Sequence, residues 1–343
     1  MAKSKTRALM VGCGSMSRAW LGAVQEMDDV EVVGLVDIVE AHAAQRAEDF
    51  DLEQAWVSTD LQAALKATQP DVVFDCTVPE AHTPTTVAAL RHGCHVLGEK
   101  PLADSMANAR KSVREAEKAG KIYAIIQNRR YMDNIRRLRR LLAAGTLGEI
   151  TTVNSDFYIG AHFGGFRDRM EHVLLLDMAI HTFDMCRLLT AADPVSVYCH
   201  EWNPEGSWYD HDAAAVAVFE LSGGIIYTYR GSWCAEGLNT TWESDWRIVG
   251  TRGSLTWDGG DAMAAQRVAK SGGFFSDMKD VPIPPLRKTD RVGRHAGQIR
   301  EFIDCVRKGR SPETVCTDNI KSLAMVFGAI ESASRGRRVS IRW

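Results

Sequence analysis

Two carboxylates and one imidazole follow one another at helical spacing in the middle of the chain. The segment Asp177–Asp184 reads DMAIHTFD. In an α-helix Asp177, His181 and Asp184 would share one face, because residues three and four positions apart are neighbours on a helix surface. An imidazole with a carboxylate one turn away accepts a proton readily near neutral pH. The spacing therefore predicts a general base at His181, with Asp177 beside it.

The same residue types also bind metals, so a metal site is the competing interpretation of this segment. Metal-binding helices often carry a denser pattern such as H-E-x-x-H, and the sequence has none. The eight cysteines include no C-x-x-C pair, which zinc sites usually show. We therefore expect no metal, and we expect most of the thiols to be small buried side chains.

A glycine-rich turn near the start of the chain indicates a nucleotide site. The segment Gly12–Ser17, which reads GCGSMS, lies between a strand-like and a helical segment. Glycine permits a tight turn and a close approach of the backbone to a pyrophosphate, and the helix N-terminus supplies N–H donors. Ser17 replaces the third glycine of the usual G-x-G-x-x-G pattern and is small enough for helix–strand packing. We expect phosphate contacts from Gly12, Gly14, Ser15 and Met16.

The next strand-like segment ends in an acidic residue that bears on which dinucleotide binds. Asp37 lies about 20 residues beyond the turn, where a carboxylate accepts hydrogen bonds from the adenosine ribose. It would repel the 2′-phosphate of NADP, and Ile38 beside it offers no cation. We therefore expect NAD to be preferred over NADP. Arg46 would compensate for Asp37 if its helix brought the guanidinium close.

A lysine follows another predicted strand. The tripeptide Glu99-Lys100-Pro101 comes directly after His95–Gly98. In an open parallel sheet, ligands bind beyond the carboxyl ends of the strands, so Lys100 would face the cleft. A lysine in such a loop is otherwise a solvated surface charge, and the tripeptide alone does not decide between the two.

Residues 1–127 alternate short apolar segments with helical ones, which is typical of a parallel sheet with crossover helices. Pro84 suits the first turn of a helix Thr85–Arg91, and Ser105 or Asp104 suits the N-cap of the helix that follows. The predicted strands are Ala8–Val11, Val30–Val36, Val72–Cys76, His95–Gly98 and Ile122–Gln127. We expect a dinucleotide-binding Rossmann domain over this range.

The sequence pattern changes in residues 128–343, which contain longer segments of alternating polarity, separate helical segments and glycine turns such as Ser222–Gly224. This pattern predicts an α+β domain built on a large, mainly antiparallel sheet. Gly272–Leu286 is the predicted long loop. The predicted strands are Thr151–Tyr158, Ala213–Leu221, Ile225–Trp233, Trp246–Val249 and Ser254–Trp257.

The composition excludes several classes of protein. Hydrophobic residues make up 45% and charged residues 25% of the 343 positions, which rules out a disordered or fibrous chain. The formal net charge is −3, whereas a general nucleic-acid binder needs an excess of Lys and Arg. No apolar run reaches the roughly 18 residues of a membrane span, and Met1–Lys5 leaves no room for a secretory signal. We expect a cytoplasmic protein with no nucleic-acid or membrane partner.

Taken together, the motifs resemble those of the glucose–fructose oxidoreductase, inositol dehydrogenase and rhizopine-catabolism family, Gfo/Idh/MocA. They extend over nearly the whole chain. In chain order they are Gly12-x-Gly14, Thr77-Val78-Pro79 with His82, Gly93–Leu97 leading into Glu99-Lys100-Pro101, Gly145–Ile150, Asp177-x-x-x-His181-x-x-Asp184, Gly250–Leu255 and Ser334–Val339.

The resemblance implies hydride transfer between NAD(P) and a secondary alcohol, or its ketone, on a sugar, polyol or similar small molecule. It implies that Lys100, Asp177 and His181 are the catalytic residues and that the nicotinamide lies between Lys100 and the helix that bears the other two. Removing a hydroxyl proton suits His181, and a cation at Lys100 would stabilise the developing alkoxide. Asp177 would orient His181 or bind a neighbouring hydroxyl.

The resemblance also implies further binding residues. Cofactor contacts are expected from Ile38, Thr77, Pro79, His82, Glu99 and Asn128 as well. Weaker candidates for substrate contacts are Asn128, His162, Arg167, Asp168 and His172, in addition to Asp177. Two other functions stay open: an NAD-dependent glycosidase that works through transient oxidation, and a non-catalytic NAD-binding regulator of the same fold.

Five of the nine tryptophans lie between Trp202 and Trp246, a density that would leave a large apolar patch on a monomer. We expect a homodimer or homotetramer that pairs through the second domain's sheet. A run of six arginines between Arg129 and Arg140 could attract an anionic substrate, but we expect a solvated helix face.

Overall fold

The computed structural model describes residues 4–343. Met1–Lys3, which contribute to the expectation that no secretory signal precedes the first strand, lie outside the described residues. The chain divides into two compact units. Unit 1 runs to Tyr131 and also contains Arg291–Ile320, whereas unit 2 comprises Met132–Asp290 and Lys321–Trp343.

Unit 1 is built on a six-stranded sheet in the order β3-β2-β1-β4-β5-β6, in which every pairing is parallel. The N-terminal parallel sheet expected from the alternating pattern is confirmed. Its strands are β1 Thr6–Val11, β2 Val30–Val36, β3 Trp56–Ser58, β4 Val72–Asp75, β5 His95–Gly98 and β6 Tyr123–Ile125. Its helices are α1 Ser15–Gln25, α2 Glu40–Asp49, α3 Leu61–Thr68, α4 Pro79–Arg91, α5 Met106–Ala119 and α8 Arg294–Lys308.

The strand register aligns the carboxyl ends of the central strands. Val11 at the end of β1 pairs with Val36 of β2 and with Asp75 of β4. Asp75 in turn pairs with Gly98 of β5, and Gly98 pairs with Ile125 of β6. The loops that follow these five strands therefore begin along one edge of the sheet, which is where open parallel sheets bind ligands.

The main helix boundary predicted wrongly in unit 1 concerns proline. Helix α4 begins at Pro79, and Pro84 lies inside it. Pro79 already occupies the first turn, where its missing N–H costs nothing, so the helix starts six residues before the predicted one. The expected cap of α5 is correct, since Ser105 Oγ accepts the Asn108 backbone N–H at 3.2 Å.

Unit 2 contains a nine-stranded sheet in the order β14-β13-β12-β11-β7-β10-β9-β8-β15. All neighbours are antiparallel except β7 and β10, so the mainly antiparallel sheet is confirmed. The strands are β7 Ile150–Tyr158, β8 Pro194–Trp202, β9 Ala214–Leu221, β10 Ile226–Ser232, β11 Asp245–Gly250, β12 Gly253–Trp257, β13 Met263–Lys270, β14 Asp277–Asp280 and β15 Val339–Ser340. The helices are α6 Asp133–Ala143, α7 Ile180–Thr190 and α9 Cys316–Arg335, of which α9 starts in unit 1.

Two expectations for unit 2 are wrong. The predicted loop Gly272–Leu286 contains β14, an edge strand that pairs with β13. All four residues of β14 are exposed, so the sequence lacks the alternation of apolar and polar residues that predicts a strand. The arginines of α6 are not simply solvated, because Arg137 donates to the Pro284 carbonyl at 2.9 Å and Arg140 donates to the Pro285 carbonyl at 2.6 Å.

The tryptophans do not form the expected apolar patch. Trp233, Trp246 and Trp257 are buried, and Trp202 and Trp242 are exposed. Trp246 and Trp257 lie in β11 and β12, where they fill the core side of the sheet. The density of tryptophans therefore no longer supports the expected contact between subunits.

The eight thiols are all free, and six of them are buried, as expected of small buried side chains. None of the helices within residues 4–343 has the length and apolar character needed to cross a membrane.

Candidate functional site

The glycine turn of unit 1 has the shape that a pyrophosphate requires. Gly12 has φ +86°, and a Cβ there would lie 2.5 Å from the Cys76 carbonyl carbon and oxygen. Gly14, the N-cap of α1, is exposed, and a Cβ on it would meet nothing within 4 Å. The N-cap Gly14 has no side chain to cap the N–H groups of the first turn of α1. The turn thus presents open space in front of helix N–H donors, which fits a dinucleotide phosphate.

Arg46 fixes the glycine turn through hydrogen bonds to Ser17 and Cys13. Its side chain is buried, with Nε 3.1 Å from Ser17 Oγ and Nη2 3.1 Å from the Cys13 carbonyl oxygen. Ser17 Oγ also donates to the Gly14 carbonyl at 2.6 Å. The third-glycine position is therefore a packed and hydrogen-bonded serine. The Arg46 guanidinium is committed to the turn and to Asp49.

Asp37 follows β2 and is fixed by the backbone around it. Its Oδ2 accepts the Cys13 N–H at 2.8 Å, and its Oδ1 accepts the Val39 N–H at 2.9 Å. His42 Nδ1 lies 3.4 Å from Oδ1, and Ile38 is 92% exposed. The carboxylate is thus tied to the same turn that would carry the phosphates.

Thr77 and His82 are organised by a buried carboxylate at the end of β4. Asp75 Oδ1 accepts from the Thr77 N–H at 3.1 Å and from Thr77 Oγ1 at 2.6 Å. His82 Nδ1 lies 3.3 Å from the same oxygen. Burial by itself would lower the pKa of His82, but Asp75, with smaller effects of Glu99 and Glu80, raises it above its usual value. His82 is 1% exposed, so any effect on a cofactor would pass through the Thr77–Pro79 loop.

Glu99 anchors the loop that carries Lys100. Trp20 Nε1 donates to Glu99 Oε1 at 2.7 Å, and the Lys100 backbone N–H donates to Glu99 Oε2 at 3.2 Å. Glu99 is buried and Lys100 is half-buried. The glutamate of the Glu-Lys-Pro tripeptide therefore sets the backbone position of Lys100.

His295 is a site residue that the sequence did not reveal. It lies in the first turn of α8, with Nδ1 3.3 Å from Asn128 Nδ2 and Nε2 3.9 Å from Glu99 Oε1. Burial lowers the pKa of His295 in spite of Glu99. Its partners are far away in the chain, so no local motif marked it. Asn128, which begins a short 3-10 turn after β6, thereby joins the same edge of unit 1.

In unit 2, Asp177 and His181 lie on two different kinds of helix. Asp177 belongs to a π-helical turn, Leu174–Ala179, and His181 is the second residue of α7. The prediction of one α-helical face through Asp177 and Asp184 is therefore wrong, because a π turn carries more residues per turn than an α-helix. Such turns are frequent at functional sites.

Asp184 has a structural role. Its side chain is buried, and its Oδ1 accepts from Ser322 Oγ of α9 at 2.7 Å. The same Ser322 Oγ accepts from Arg187 Nη1 at 2.9 Å. This network joins α7 to α9 and fixes the helix on which His181 sits.

Asp177 is joined to the segment before the π turn. Arg167 Nε donates to Asp177 Oδ2 at 2.7 Å, with the two side chains 31% and 13% exposed. Asp168 beside it has a buried Oδ1 with no hydrogen-bond partner among the described residues. Two predicted substrate residues, Arg167 and Asp168, thus lie in one cluster with Asp177.

His162 and His172 occupy different places. His162 stacks on Trp208 at 3.7 Å between ring centroids and is exposed. His172 has φ +53°, and its Nδ1 lies 2.8 Å from Glu201 Oε2 on β8. This hydrogen bond raises the pKa of His172, although burial opposes it. Its carbonyl accepts the Leu176 N–H at 2.9 Å, so His172 lies directly before the helical segment that contains the π turn and Asp177.

Within residues 4–343, no group of three or more His, Cys, Asp or Glu side chains is arranged to hold a metal ion.

The structure gathers many of the predicted site residues into two sets, one in each unit. The set in unit 2 is the cluster of Asp177, Arg167 and Asp168. Unit 1 collects Gly12, Gly14, Ser15, Met16, Asp37, Ile38, Thr77, Pro79, Glu99, Lys100 and Asn128 along one sheet edge, with His82 beneath it.

Comparison with known families accounts for both units. Residues 6–127 match the model described as the oxidoreductase family GFO_IDH_MocA with an NAD-binding Rossmann fold. Residues 135–256 match the GFO/IDH/MocA C-terminal domain. The chain belongs to the GFO/IDH/MocA family. The expected resemblance, the oxidoreductase class and the NAD cofactor are confirmed.

Two relatives of this GFO/IDH/MocA protein are named as dehydrogenases of sugars or glycosides. A D-glucoside 3-dehydrogenase of Escherichia coli is 30% identical, covering 67% of this chain and 69% of the enzyme. A D-apiose dehydrogenase of Paraburkholderia graminis is 26% identical, covering 98% and 90%. The crystal structure of an oxidoreductase from Agrobacterium radiobacter with NAD+, L-tartaric acid and magnesium superposes with a TM-score of 0.85, covers 98% of each chain and is 20% identical. That likeness shows the fold.

Proposed function

We propose that this GFO/IDH/MocA protein is an NAD-dependent dehydrogenase of a secondary alcohol on a sugar or polyol, or a reductase of the corresponding ketone. One observation carries the proposal. The register of β1, β2, β4 and β5 brings an open glycine cradle, a ribose-type carboxylate and the Glu99-anchored Lys100 to a single sheet edge. The named relatives that act on D-apiose and D-glucosides support a sugar-like substrate.

The residues that would hold NAD are those of the sheet edge. Backbone N–H groups at Gly14, Ser15 and Met16 would bind the pyrophosphate, because they stand uncapped at the start of α1. Asp37 would accept hydrogen bonds from the adenosine ribose. Bound NAD supplies the hydride acceptor, which no side chain provides. Asn128, held by His295, would contact the cofactor further along the edge.

NAD is the preferred cofactor under this proposal. Arg46, the cation that could neutralise a 2′-phosphate near Asp37, is buried and committed to the turn and to Asp49. Ile38 beside Asp37 is apolar and exposed. Repulsion between the carboxylate and the phosphate then favours NAD.

Three side chains would remove the hydroxyl proton, stabilise the alkoxide charge and position the reacting groups. His181 is the proposed general base for the hydroxyl proton, because an imidazole exchanges protons near neutral pH. Lys100 would stabilise the developing alkoxide. Asp177, held by Arg167, would orient His181 or accept a hydrogen bond from a neighbouring hydroxyl.

A substrate panel tests the proposed function. The purified protein is mixed with NAD or NADP and with sugars, polyols and sugar acids, and the nicotinamide absorbance is followed. We expect NADH to accumulate with at least one compound. Release of a free sugar from a glycoside without net NADH would indicate the glycosidase instead. Tight NAD binding with neither reaction would indicate a regulator.

We further propose that the protein assembles as a homodimer or homotetramer through the unit 2 sheet. One face of this sheet is covered by the core, and the other carries a groove of about 890 Å³ lined by residues such as Asp156, Arg230 and Arg247. The Asp156–Arg230 ion pair lies on this face, and β8, β9 and β10 also expose the large side chains Tyr198, Val218 and Ile226 there. Light scattering at micromolar protein concentration tests the assembly, and a monomeric mass would contradict it.

A further inference from the structure

Three aromatic rings stand exposed next to the Asp177 cluster. Phe166 is 65%, Phe163 46% and Trp242 43% exposed. Phe163 and Trp242 contact one another with ring centroids 6.1 Å apart, and both pack on the buried Trp233. We call Phe163, Phe166 and Trp242 the aromatic wall. A contiguous patch of exposed apolar side chains next to polar groups marks a binding site more often than scattered exposed rings do.

Arg167 joins the aromatic wall to Asp177. Arg167 donates from Nε to Asp177 Oδ2 at 2.7 Å. Its guanidinium carbon lies 5.0 Å from the Phe163 ring centroid and 4.8 Å from that of Phe166. One arginine therefore fixes both phenylalanine rings and the carboxylate, so the wall and the proposed catalytic cluster form a continuous surface within unit 2.

Unsatisfied polar groups lie among these rings. The buried Oδ1 of Asp168, next to Arg167, has no hydrogen-bond partner in the described part of the chain. Trp233 is 2% exposed, and its Nε1 likewise has no partner there. Buried polar atoms are normally hydrogen-bonded, so such atoms beside a ligand surface are candidates for ligand contacts. Exposed ring faces with a few polar groups match sugars, which present C–H faces and hydroxyls together.

We propose that the aromatic wall binds a second sugar ring, so that the substrate is a glycoside or oligosaccharide rather than a single free ring. This inference rests on the proposed function, in which Asp177 serves the ring that is oxidised. The wall contacts the Arg167 guanidinium, one group removed from Asp177, so a ring stacked on it belongs to the neighbouring unit of the substrate. Asp168 then accepts a hydrogen bond from a hydroxyl of that unit.

The test compares two-ring with one-ring sugars. The probes are cellobiose, maltose and trehalose against D-glucose and myo-inositol, with kcat/KM measured by NADH formation. We expect the wild type to favour its best two-ring probe. A Phe166→Ala, Trp242→Ala double variant should lose about 10-fold or more in kcat/KM on that probe, the scale of lost ring stacking. It should keep its one-ring kcat/KM within about 2-fold, which is within about 0.4 kcal/mol.

A matched control removes exposed rings elsewhere. Phe274 and Phe275 are 95% and 82% exposed and contact each other edge to face, so their double alanine variant removes similar apolar surface far along the chain. It should match the wild type on every probe. An equal loss on one-ring and two-ring sugars in the Phe166/Trp242 variant, or no loss on either, would overturn the inference.

A binding measurement separates this inference from the proposed function. Tryptophan fluorescence and calorimetry report binding of cellobiose or maltose without turnover. If no sugar is oxidised but a two-ring sugar binds, and binding weakens about 10-fold in the variant, the dehydrogenase proposal fails and the wall stands. Absence of binding by every two-ring probe at millimolar concentration would overturn the wall, as would a change of oligomeric mass in Phe166→Ala, which would make the wall a subunit contact.

Discussion

Arg167 Nε donates a hydrogen bond of 2.7 Å to Asp177 Oδ2. This contact joins a 3-10 turn, Gly165–Arg169, to the π turn that carries Asp177. It therefore fixes the carboxylate that we propose to work with His181.

The first prediction concerns this contact. Arg167→Ala should lower kcat/KM about 10-fold to 100-fold, or about 1.4–2.7 kcal/mol of barrier, because Asp177 would lose the hydrogen bond that positions it. The free energy of unfolding should change little, since Arg167 is about a third exposed. Arg167→Lys should restore part of the activity. Arg169→Ala, a neighbouring exposed arginine, is the control, and an equal loss of activity there would contradict the role of Arg167.

The two glycines of the turn give a second, paired prediction. Gly12→Ala should destabilise the fold by about 3 kcal/mol or more, because its Cβ would lie 2.5 Å from the Cys76 carbonyl and its φ is +86°. Gly14→Ala has free space and an ordinary φ of −70°. It should unfold like the wild type but bind NAD at least about 10-fold more weakly, because the methyl group occupies the phosphate cradle. Chemical denaturation and NAD titration check both variants. Unchanged NAD affinity in Gly14→Ala would contradict the proposal that the turn at Gly14 binds the phosphates.

The third prediction separates the roles of Asp37 and Arg46. The wild type should favour NAD over NADP by about 10-fold or more in kcat/KM, or about 1.4 kcal/mol. Asp37→Ser with Ile38→Arg should reduce or reverse this preference. Arg46→Ala should weaken both cofactors alike, because Arg46 holds Cys13 and Ser17 rather than a phosphate. A selective loss of NADP in Arg46→Ala would show that Arg46 compensates for Asp37 after all.

The fourth prediction concerns pH and the His172–Glu201 pair. The hydrogen bond that His172 Nδ1 donates to Glu201 Oε2 raises the pKa of His172 in the folded protein, against the effect of burial and with smaller contributions from Glu171 and Asp212. A raised folded pKa stabilises the fold fully below the unfolded pKa of about 6.5. That stabilisation is lost as the pH rises through the folded pKa.

His172→Asn is the suitable variant, because asparagine tolerates the left-handed backbone at φ +53°. The free energy of unfolding should differ between wild type and variant most in mildly acidic solution, and the difference should shrink at alkaline pH. His82, whose pKa is also raised, titrates in both proteins and cancels. Denaturant titrations at several pH values test this, and a pH-independent difference would contradict it.

Much of unit 1 could be predicted from its sequence, because the chemistry lies in loops that directly follow short buried strands. The register places the residues after β1, β2, β4 and β5 along one edge, as an open parallel sheet requires. Strand β3 was missed because Trp56–Ser58 is only three residues long and not buried.

Other features depend on contacts between distant segments, which spacing cannot show. His295 and Glu201 meet Asn128 and His172 only in the fold. The π turn before α7 was predicted as an α-helix because the residue types fit both. The buried tryptophans looked like a surface patch because a sheet's two faces cannot be told apart by aromatic density alone.

The most direct test of the central claim is the turnover of His181→Ala with NAD and the best sugar from the panel. Removal of a positioned proton acceptor should lower kcat by about 10²–10⁴-fold, or roughly 3–5 kcal/mol of barrier. NAD affinity should stay within about 2-fold of the wild type, because the phosphate and ribose contacts come from the turn after β1 and from Asp37. Near wild-type kcat in His181→Ala would contradict the account.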